Sequence, residues 1–399
     1  MLNAKPCLTS AFILAAVAST GAQAAFEIAD AKGIKFSTDG WIIVQGHQQR
    51  GDDIETTGFR MTSGTTPSLF AFNVAFPETD GLNMSARVGL YINSQSGAGN
   101  FRNNGNVGNT GSSALDPREI WGKIAGSWGE ILIGKHYSIY QGQPVLADAS
   151  VLAGGLTGYD NVNTTNALAA TFNAGYMYTN FNAGVRYNSP TDKALKVSIG
   201  LYDPSQIRNV FVGAGASQTR SPRLEAGVYY DSPTPFGKIK LYADAVTQEA
   251  ENCTVAGGGA CADDKVRTTG GSIGTTVDVG PVNLHLSGFS GKGLGSVLMQ
   301  DLDAVDAVGK ARKSKGYFAQ IVYRLGATSL RYSHGRTKID DTAATQGHTA
   351  RSNIVGIYHA LNEYLTVYGE LANSRFSFNP AFNKPTDTDY ATIGGRLQW

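Results

Sequence analysis

Long hydrophobic runs are missing from this chain. Beyond residue 25 no eighteen apolar residues follow one another, although apolar types make up 42% of the 399 residues, which excludes a bundle of membrane-crossing helices. Cysteine is scarce: of three, Cys7 falls in the leader described below, and Cys253 and Cys261 flank the glycine-rich stretch TVAGGGA. Neither sign of charge dominates. Removing Lys5 with the leader leaves 32 basic against 32 acidic residues, so there is no basic field to hold nucleic acid. The six histidines, His47, His136, His285, His334, His348 and His359, lack paired metal spacing, and no phosphate-binding glycine loop precedes a helical pattern. No cofactor is implied.

What the chain does have begins with an export signal. Lys5 gives a positive start, Ala11 to Ala18 an apolar stretch, and Ala22-Gln23-Ala24 a small-x-small cleavage site. The apolar stretch is far shorter than the roughly 20 residues of a spanning helix, so residues 1–24 are read as a cleaved signal peptide, with cleavage near Ala24/Ala25, and 25–399 as one mature domain. In an exported chain Cys253 and Cys261 read as a local disulfide on an exposed loop; two thiolates with no histidine nearby make an incomplete zinc site.

From about Phe36 onward, segments of alternating polarity come in pairs, joined by a very short turn and followed by a longer polar loop. In 195–202, Leu195, Val197, Ile199 and Leu201 share one face, and Lys196, Ser198 and Tyr202 the other. In 223–231, Leu224, Ala226, Val228 and Tyr230 oppose Arg223, Glu225, Tyr229 and Asp231. Successive strand side chains point to opposite sides, so each segment has an apolar and a polar face. Sixteen such segments are predicted, at 36–49, 69–78, 82–94, 118–126, 129–140, 182–189, 194–203, 223–232, 237–248, 268–279, 282–290, 316–325, 327–338, 352–361, 363–376 and 389–399.

A soluble sandwich shows the same alternation with its apolar faces turned inward. The export signal, 49 glycines, the alternating loop lengths and a last strand that stops on Trp399 favour instead an all-β fold, a transmembrane antiparallel β-barrel of about 16 strands, closed so that no sheet edge is left. Barrels of that size hold an aqueous channel. On the strands, Arg87, Lys196, Arg331 and Arg396 lie opposite the apolar face and so are assigned to the pore wall; a charge on the lipid face costs about 2–4 kcal/mol at mid-membrane. For Arg118 the alternation points outward, with Ile120, Gly122 and Ile124.

Two loops stand out. Leu294 to Lys315 carries Asp301, Asp303 and Asp306, then Lys310, Arg312, Lys313 and Lys315. It is read as a solvated mouth facing lipid headgroups and lipopolysaccharide, since the aspartate spacing lacks the glycine and terminal glutamate of a calcium loop. The longest connection runs from Gln141 to about Asn180 and includes Asp148, Tyr159 and Asp160. Folded into the lumen, it would narrow the pore at those residues.

Several patches resemble the trimeric general porins of Gram-negative bacteria, most closely the β-proteobacterial type. Arg118-Glu119-Ile120-Trp121-Gly122-Lys123-Ile124 followed by Gly129-Glu130-Ile131-Leu132-Ile133-Gly134-Lys135 is similar to that family's fourth and fifth strands. Tyr137 to Tyr140 resembles the opening of its constriction loop, and Val185-Arg186-Tyr187-Asn188-Ser189-Pro190 its strand-to-turn motif after that loop. The resemblance implies a 16-stranded barrel in a homotrimer of the outer membrane, with loop 3 folded inside and acidic loop residues facing wall arginines. It carries Asp148 and Asp160 over as loop residues, and Arg118 and Arg186 as wall residues. It also implies an arginine near Leu69-Phe70, which this chain lacks, so the basic side of the eyelet is shifted or weakened.

The function expected is passive diffusion of small hydrophilic solutes and ions, with no catalysis. Two other readings compete: a structural or adhesive barrel plugged by its loops, and an outer-membrane hydrolase using Ser272 of Gly270-Gly271-Ser272-Ile273-Gly274. The hydrolase needs a strand, a sharp turn and a helix around the serine, yet Ile273, Thr275, Val277 and Val279 continue a strand pattern.

Overall fold

Alternation fixes strands, and short turns fix which strands are neighbours. The computed structural model describes residues 26–51, 58–63, 67–92, 115–152, 174–205, 207, 219–251, 260, 265–301, 303–379 and 386–399. These hold eighteen strands. The first nine are β1 (Phe26–Ala31), β2 (Ile34–Gly51), β3 (Gly58–Thr62), β4 (Ser68–Ala75), β5 (Asn83–Ile92), β6 (Leu115–Gly126), β7 (Gly129–Tyr137), β8 (Phe181–Asn188) and β9 (Leu195–Tyr202). The rest are β10 (Arg223–Thr234), β11 (Gly237–Glu251), β12 (Lys265–Val279), β13 (Val282–Lys292), β14 (Lys313–Leu325), β15 (Thr328–Ile339), β16 (Gly347–Ala360), β17 (Leu365–Asn379) and β18 (Thr386–Gln398).

Every described pairing is antiparallel. From β4 to β18 each strand pairs with the next, and β2 pairs with β4 on one edge and β18 on the other. The result is a closed ring of sixteen staves. The count excludes β3, which continues β4 along the outer half of β2, at Gln45 to Gln49, and β1, a hairpin on the first residues of β2. Closure is completed where Trp399 and Gly40 exchange both backbone hydrogen bonds at 3.1 Å and the Trp399 ring tilts onto Phe70 with centroids 4.6 Å apart.

All sixteen predicted segments are staves. The two additional strands are short, and β1 is made by a turn: Lys32 and Gly33 both take positive φ (56° and 81°), and Asp30 Oδ1 accepts the Gly33 N–H at 2.9 Å. Two left-handed residues in a row match the right-handed twist of a hairpin.

Which face is wet is now settled by burial. Arg223 and Glu225 of β10 are buried, whereas Leu224 and Val228 on the opposite face of the same strand are exposed. Large apolar side chains of the staves stand exposed: Ile393 at 74%, Ile273 at 69% and Leu371 at 66%. An aqueous sandwich would bury these groups at about 25 cal/mol per Å²; a closed barrel that turns them outward needs hydrocarbon around it. No helix of the described residues is long and apolar enough to cross a membrane, and the crossing is made by strands.

Connections at one end are tight, as at 279–282 and 325–328, where Gly280 and Gly326 take φ of 54° and 59°. Those at the other end are long. The third long connection, between β7 and β8, holds helix α1 (Gly142–Ala147) and a 3-10 turn, Ala149–Leu152; the sixth joins β13 to β14.

Candidate functional site

A belt of charged and aromatic side chains lies on the inward face of neighbouring staves. On β15 and β16, the Arg331 guanidinium sits 3.7 Å above the Tyr358 ring, which stacks on Tyr368 of β17 at 5.3 Å. The Arg396 guanidinium of β18 lies 4.6 Å over Trp41 of β2. Trp41 meets Tyr91 of β5 edge-on at 6.2 Å, and Tyr91 carries the Arg118 guanidinium of β6 at 4.6 Å. Each arginine thus has its guanidinium carbon over an aromatic ring, a cation–π contact that stabilises the charge.

Arg118 reaches this belt through a β-bulge. Gly89 of β5 faces Glu119 but Leu90 faces Pro117, so Arg118 is the extra residue. Strict alternation would send it outward with Ile120; the bulge instead leaves Arg118 and Glu119 both buried, at 4% and 2% exposure. Asp116 Oδ2 accepts from Arg118 Nε at 2.7 Å.

The remaining basic residues named from the sequence are not stacked on the rings of the belt. Arg87 is tied into the wall by Asp39 at 2.6 Å, Asn73 at 2.8 Å and Glu119 at 3.0 Å. Arg186 donates to the Tyr137 carbonyl at 3.0 Å. Lys196, near the tight-turn end of β9, pairs with Asp231 at 2.5 Å. Arg331 also donates to the Ala149 carbonyl at 2.8 Å, which brings the third loop to the belt.

That loop is anchored at both described ends. On the way in, Glu225 Oε2 of β10 accepts the Ile139 and Tyr140 N–H groups at 2.7 and 2.8 Å, and Asp244 Oδ1 of β11 accepts Gln141 N–H at 3.3 Å. Further along, Gln320 of β14 takes the Ala149 N–H at 2.6 Å and donates to the Ala147 carbonyl at 2.6 Å. On the way out, Gly175 N–H donates to Thr337 Oγ1 of β15 at 2.9 Å. Gly335 makes room there: a Cβ on it would stand 1.6 Å from the Ala174 carbonyl oxygen. Burial pushes the pKa of the Tyr140 hydroxyl upward.

Asp148 is fully buried and fully used, accepting from Ser150 N–H at 2.8 Å, Ser150 Oγ at 2.5 Å and Tyr176 Oη at 2.5 Å. Tyr159 and Asp160 lie outside the described residues, as do Cys253 and Cys261. Sequence reasoning missed the anchors Glu225, Asp244 and Gln320. It also missed the aromatic partners of the arginines, although Trp41, Tyr91, Tyr358 and Tyr368 all fall on the polar side of their strands.

The acidic loop between β13 and β14 is not the solvated mouth its charges suggest. Asp303 and Asp306 are buried, and the loop's own donors consume their charge: Arg312 lies 3.4 Å from Asp303, and Asp306 Oδ1 accepts Lys310 N–H at 2.8 Å. No group of three or more His, Cys, Asp or Glu among the described residues could hold a metal ion. Ser272 sits within β12, opposite Phe289 of β13, and donates to Asp244 at 2.5 Å; an elbow requires a turn and a helix there.

A closed sixteen-stave barrel with an apolar exterior and a charged interior is an outer-membrane β-barrel. The model of the Gram-negative porin family matches residues 10–379, and the chain belongs to that family. Among solved structures, the outer membrane channel DcaP of Acinetobacter baumannii is similar at TM-score 0.66 and 12% identity, covering 93% of this chain and 99% of that one. The anion-selective porin of Comamonas acidovorans is similar at 0.64 and 14%, covering 92% and 100%. OmpT of Vibrio cholerae in its trimer form is similar at 0.53 and 11%, covering 91% and 99%. No curated protein matches in sequence. These likenesses establish the fold, and the family establishes the class: an outer-membrane channel for passive diffusion of solutes, not an enzyme.

Proposed function

We propose that this porin admits small hydrophilic solutes and ions through a bore set by loop 3, with Asp148, Tyr159 and Asp160 on the loop side and Arg118, Arg331 and Arg396 on the wall. Arg87, Arg186 and Lys196 line the wall beyond the constriction. The observation that carries this reading is the series of hydrogen bonds from loop 3 backbone to Glu225, Asp244, Gln320 and Arg331, on staves well removed from β7. Bonds to staves that far round the ring support a loop that crosses the lumen.

Charges opposed across a narrow, low-dielectric gap produce a transverse field that orders dipolar solutes and sorts ions by sign. The sign proposed is a preference for anions. Arg396 pairs with no carboxylate among the described residues, and its Nε has no hydrogen-bond partner there, so its positive charge is not offset within the wall. The anion selectivity of the Comamonas porin agrees. Purified protein in planar bilayers is expected to give steady stepwise conductance, with a reversal potential of anionic sign under a salt gradient; silent membranes, or a cationic sign, would refute it.

The working unit proposed is a homotrimer, supported by the trimer form of OmpT, set among outer-membrane lipid and lipopolysaccharide. Residues 1–24 act as the export signal, cleaved near Ala24/Ala25, and Cys253 and Cys261 close a loop disulfide. Cross-linking with mass analysis of mature, non-reduced protein checks all three.

A further inference from the structure

Loop 6, the segment between β13 and β14, does more than cap the mouth. Its second half, 304–312, is a small hairpin: Val305 bridges Ala311, Arg312 N–H donates to the Ala304 carbonyl at 2.9 Å, and Gly293 N–H donates to the Arg312 carbonyl at 2.8 Å, joining the two ends of the loop. Its first half turns inward. Leu294 is fully buried and seats where Gly270 and Gly291 carry no side chain; a Cβ on either would lie 2.8 or 2.4 Å from a Leu294 methyl. Gln300, also fully buried, accepts from Gln248 of β11 and donates to Thr268 of β12, both at 2.7 Å.

The tip between them touches loop 3. Tyr178 N–H donates to the Val297 carbonyl at 2.8 Å. Val297 and Leu298 pack against the apolar cluster that contains Val145, Tyr176 and Tyr178 of loop 3, and Met299 packs against the one that contains Tyr140 and Met177. Both legs of loop 3 therefore lean on the same short piece of loop 6.

One carboxylate shapes that piece. Asp301 Oδ1 accepts Ser296 N–H at 2.9 Å, and Oδ2 accepts Val297 and Leu298 N–H at 2.7 and 2.8 Å. Three successive amides turned onto one carboxylate form a nest, the backbone concavity that receives an anion, and those three bonds fix the turn. Gly295, at φ 98°, gives the anion room: a Cβ there would stand 2.2 Å from Asp301 Oδ1.

We propose that residues 294–301 are a second lumen insert that braces loop 3, with Asp301 as the positioning residue on which a steady bore depends. This rests on the reading of loop 3 as the constriction. Asp301 touches no solute; it acts through the Val297 carbonyl and the side chains beside it.

The test is open-channel current in planar bilayers. Asp301→Asn keeps the size but turns an amide NH₂ toward backbone N–H donors, and roughly tenfold more time in a dislodged, noisy state is expected, the shift that loss of one buried hydrogen bond brings. Gly295→Ala, whose Cβ would meet both Asp301 Oδ1 at 2.2 Å and the Leu298 carbonyl oxygen at 2.6 Å, should disturb the same turn and give the same noise. Heat-modifiable gel mobility must stay native, which separates positioning from folding. A disulfide between Val297→Cys and Tyr178→Cys, in Asp301→Asn lacking Cys253 and Cys261, should restore a quiet trace and lose it again on reduction. A quiet Asp301→Asn trace, or noise that the tether leaves untouched, overturns the inference. Gly335→Val, which pushes loop 3 off β15, is the reference: if it leaves conductance unchanged, the loop 3 reading itself fails, whereas a change there with a quiet Asp301→Asn trace sinks only the brace.

Discussion

At the scale of residues, the barrel inverts the usual economy of burial. Ile273 of β12 stands 69% exposed beside Ser272, which is buried. Ile273→Arg places a charge in hydrocarbon and is expected to lower stability by about 2–4 kcal/mol, measured as a shift in urea-unfolding midpoint of protein folded into lipid vesicles. On the other face, Arg396→Gln removes a cation held over Trp41 and is expected to move the reversal potential toward cations with little change in stability. Alternation alone carries the face of Arg87, Lys196, Arg331 and Arg396. It fails at Arg118 because a bulge adds one residue to β6 and resets the count, and a bulge leaves no mark in polarity. The rings under the arginines were legible as aromatics on polar faces, but which ring meets which guanidinium depends on register across staves.

At the scale of elements, strands were legible and loops were not. A strand writes its state into every second residue, so all sixteen staves are visible in the sequence. The hairpin strand β1 shows no core face, since all six of its residues are exposed, and β3 is too short for a period to register. Loop 6 misleads for a different reason. A run of aspartates followed by lysines looks solvated until a fold turns the acids onto its own amides, as Asp301 and Asp306 do. Anchors show the same limit: Glu225 is an ordinary polar stave residue until loop 3 arrives. Glu225→Ala strands the Ile139 and Tyr140 N–H groups and leaves Arg223, 2.8 Å away and buried, without its carboxylate. Roughly 3–5 kcal/mol of stability is expected to go with a broken buried pair, read by urea unfolding, together with noisier single-channel current.

At the scale of the whole molecule, passive permeation requires a wall that hydrocarbon accepts and a bore that water accepts, and one period-two pattern supplies both. β18 holds the two within three residues, Ile393 facing out at 74% exposure and Arg396 facing in at 9%. In protein lacking Cys253 and Cys261, a cysteine at each place can be challenged with a water-soluble, negatively charged thiol reagent during single-channel recording. With Arg396→Cys the reagent is expected to lower conductance in discrete steps, and with Ile393→Cys to leave it unchanged. Block through residue 393 and none through residue 396 would mean that the apolar face is the wet one, and the account would be wrong.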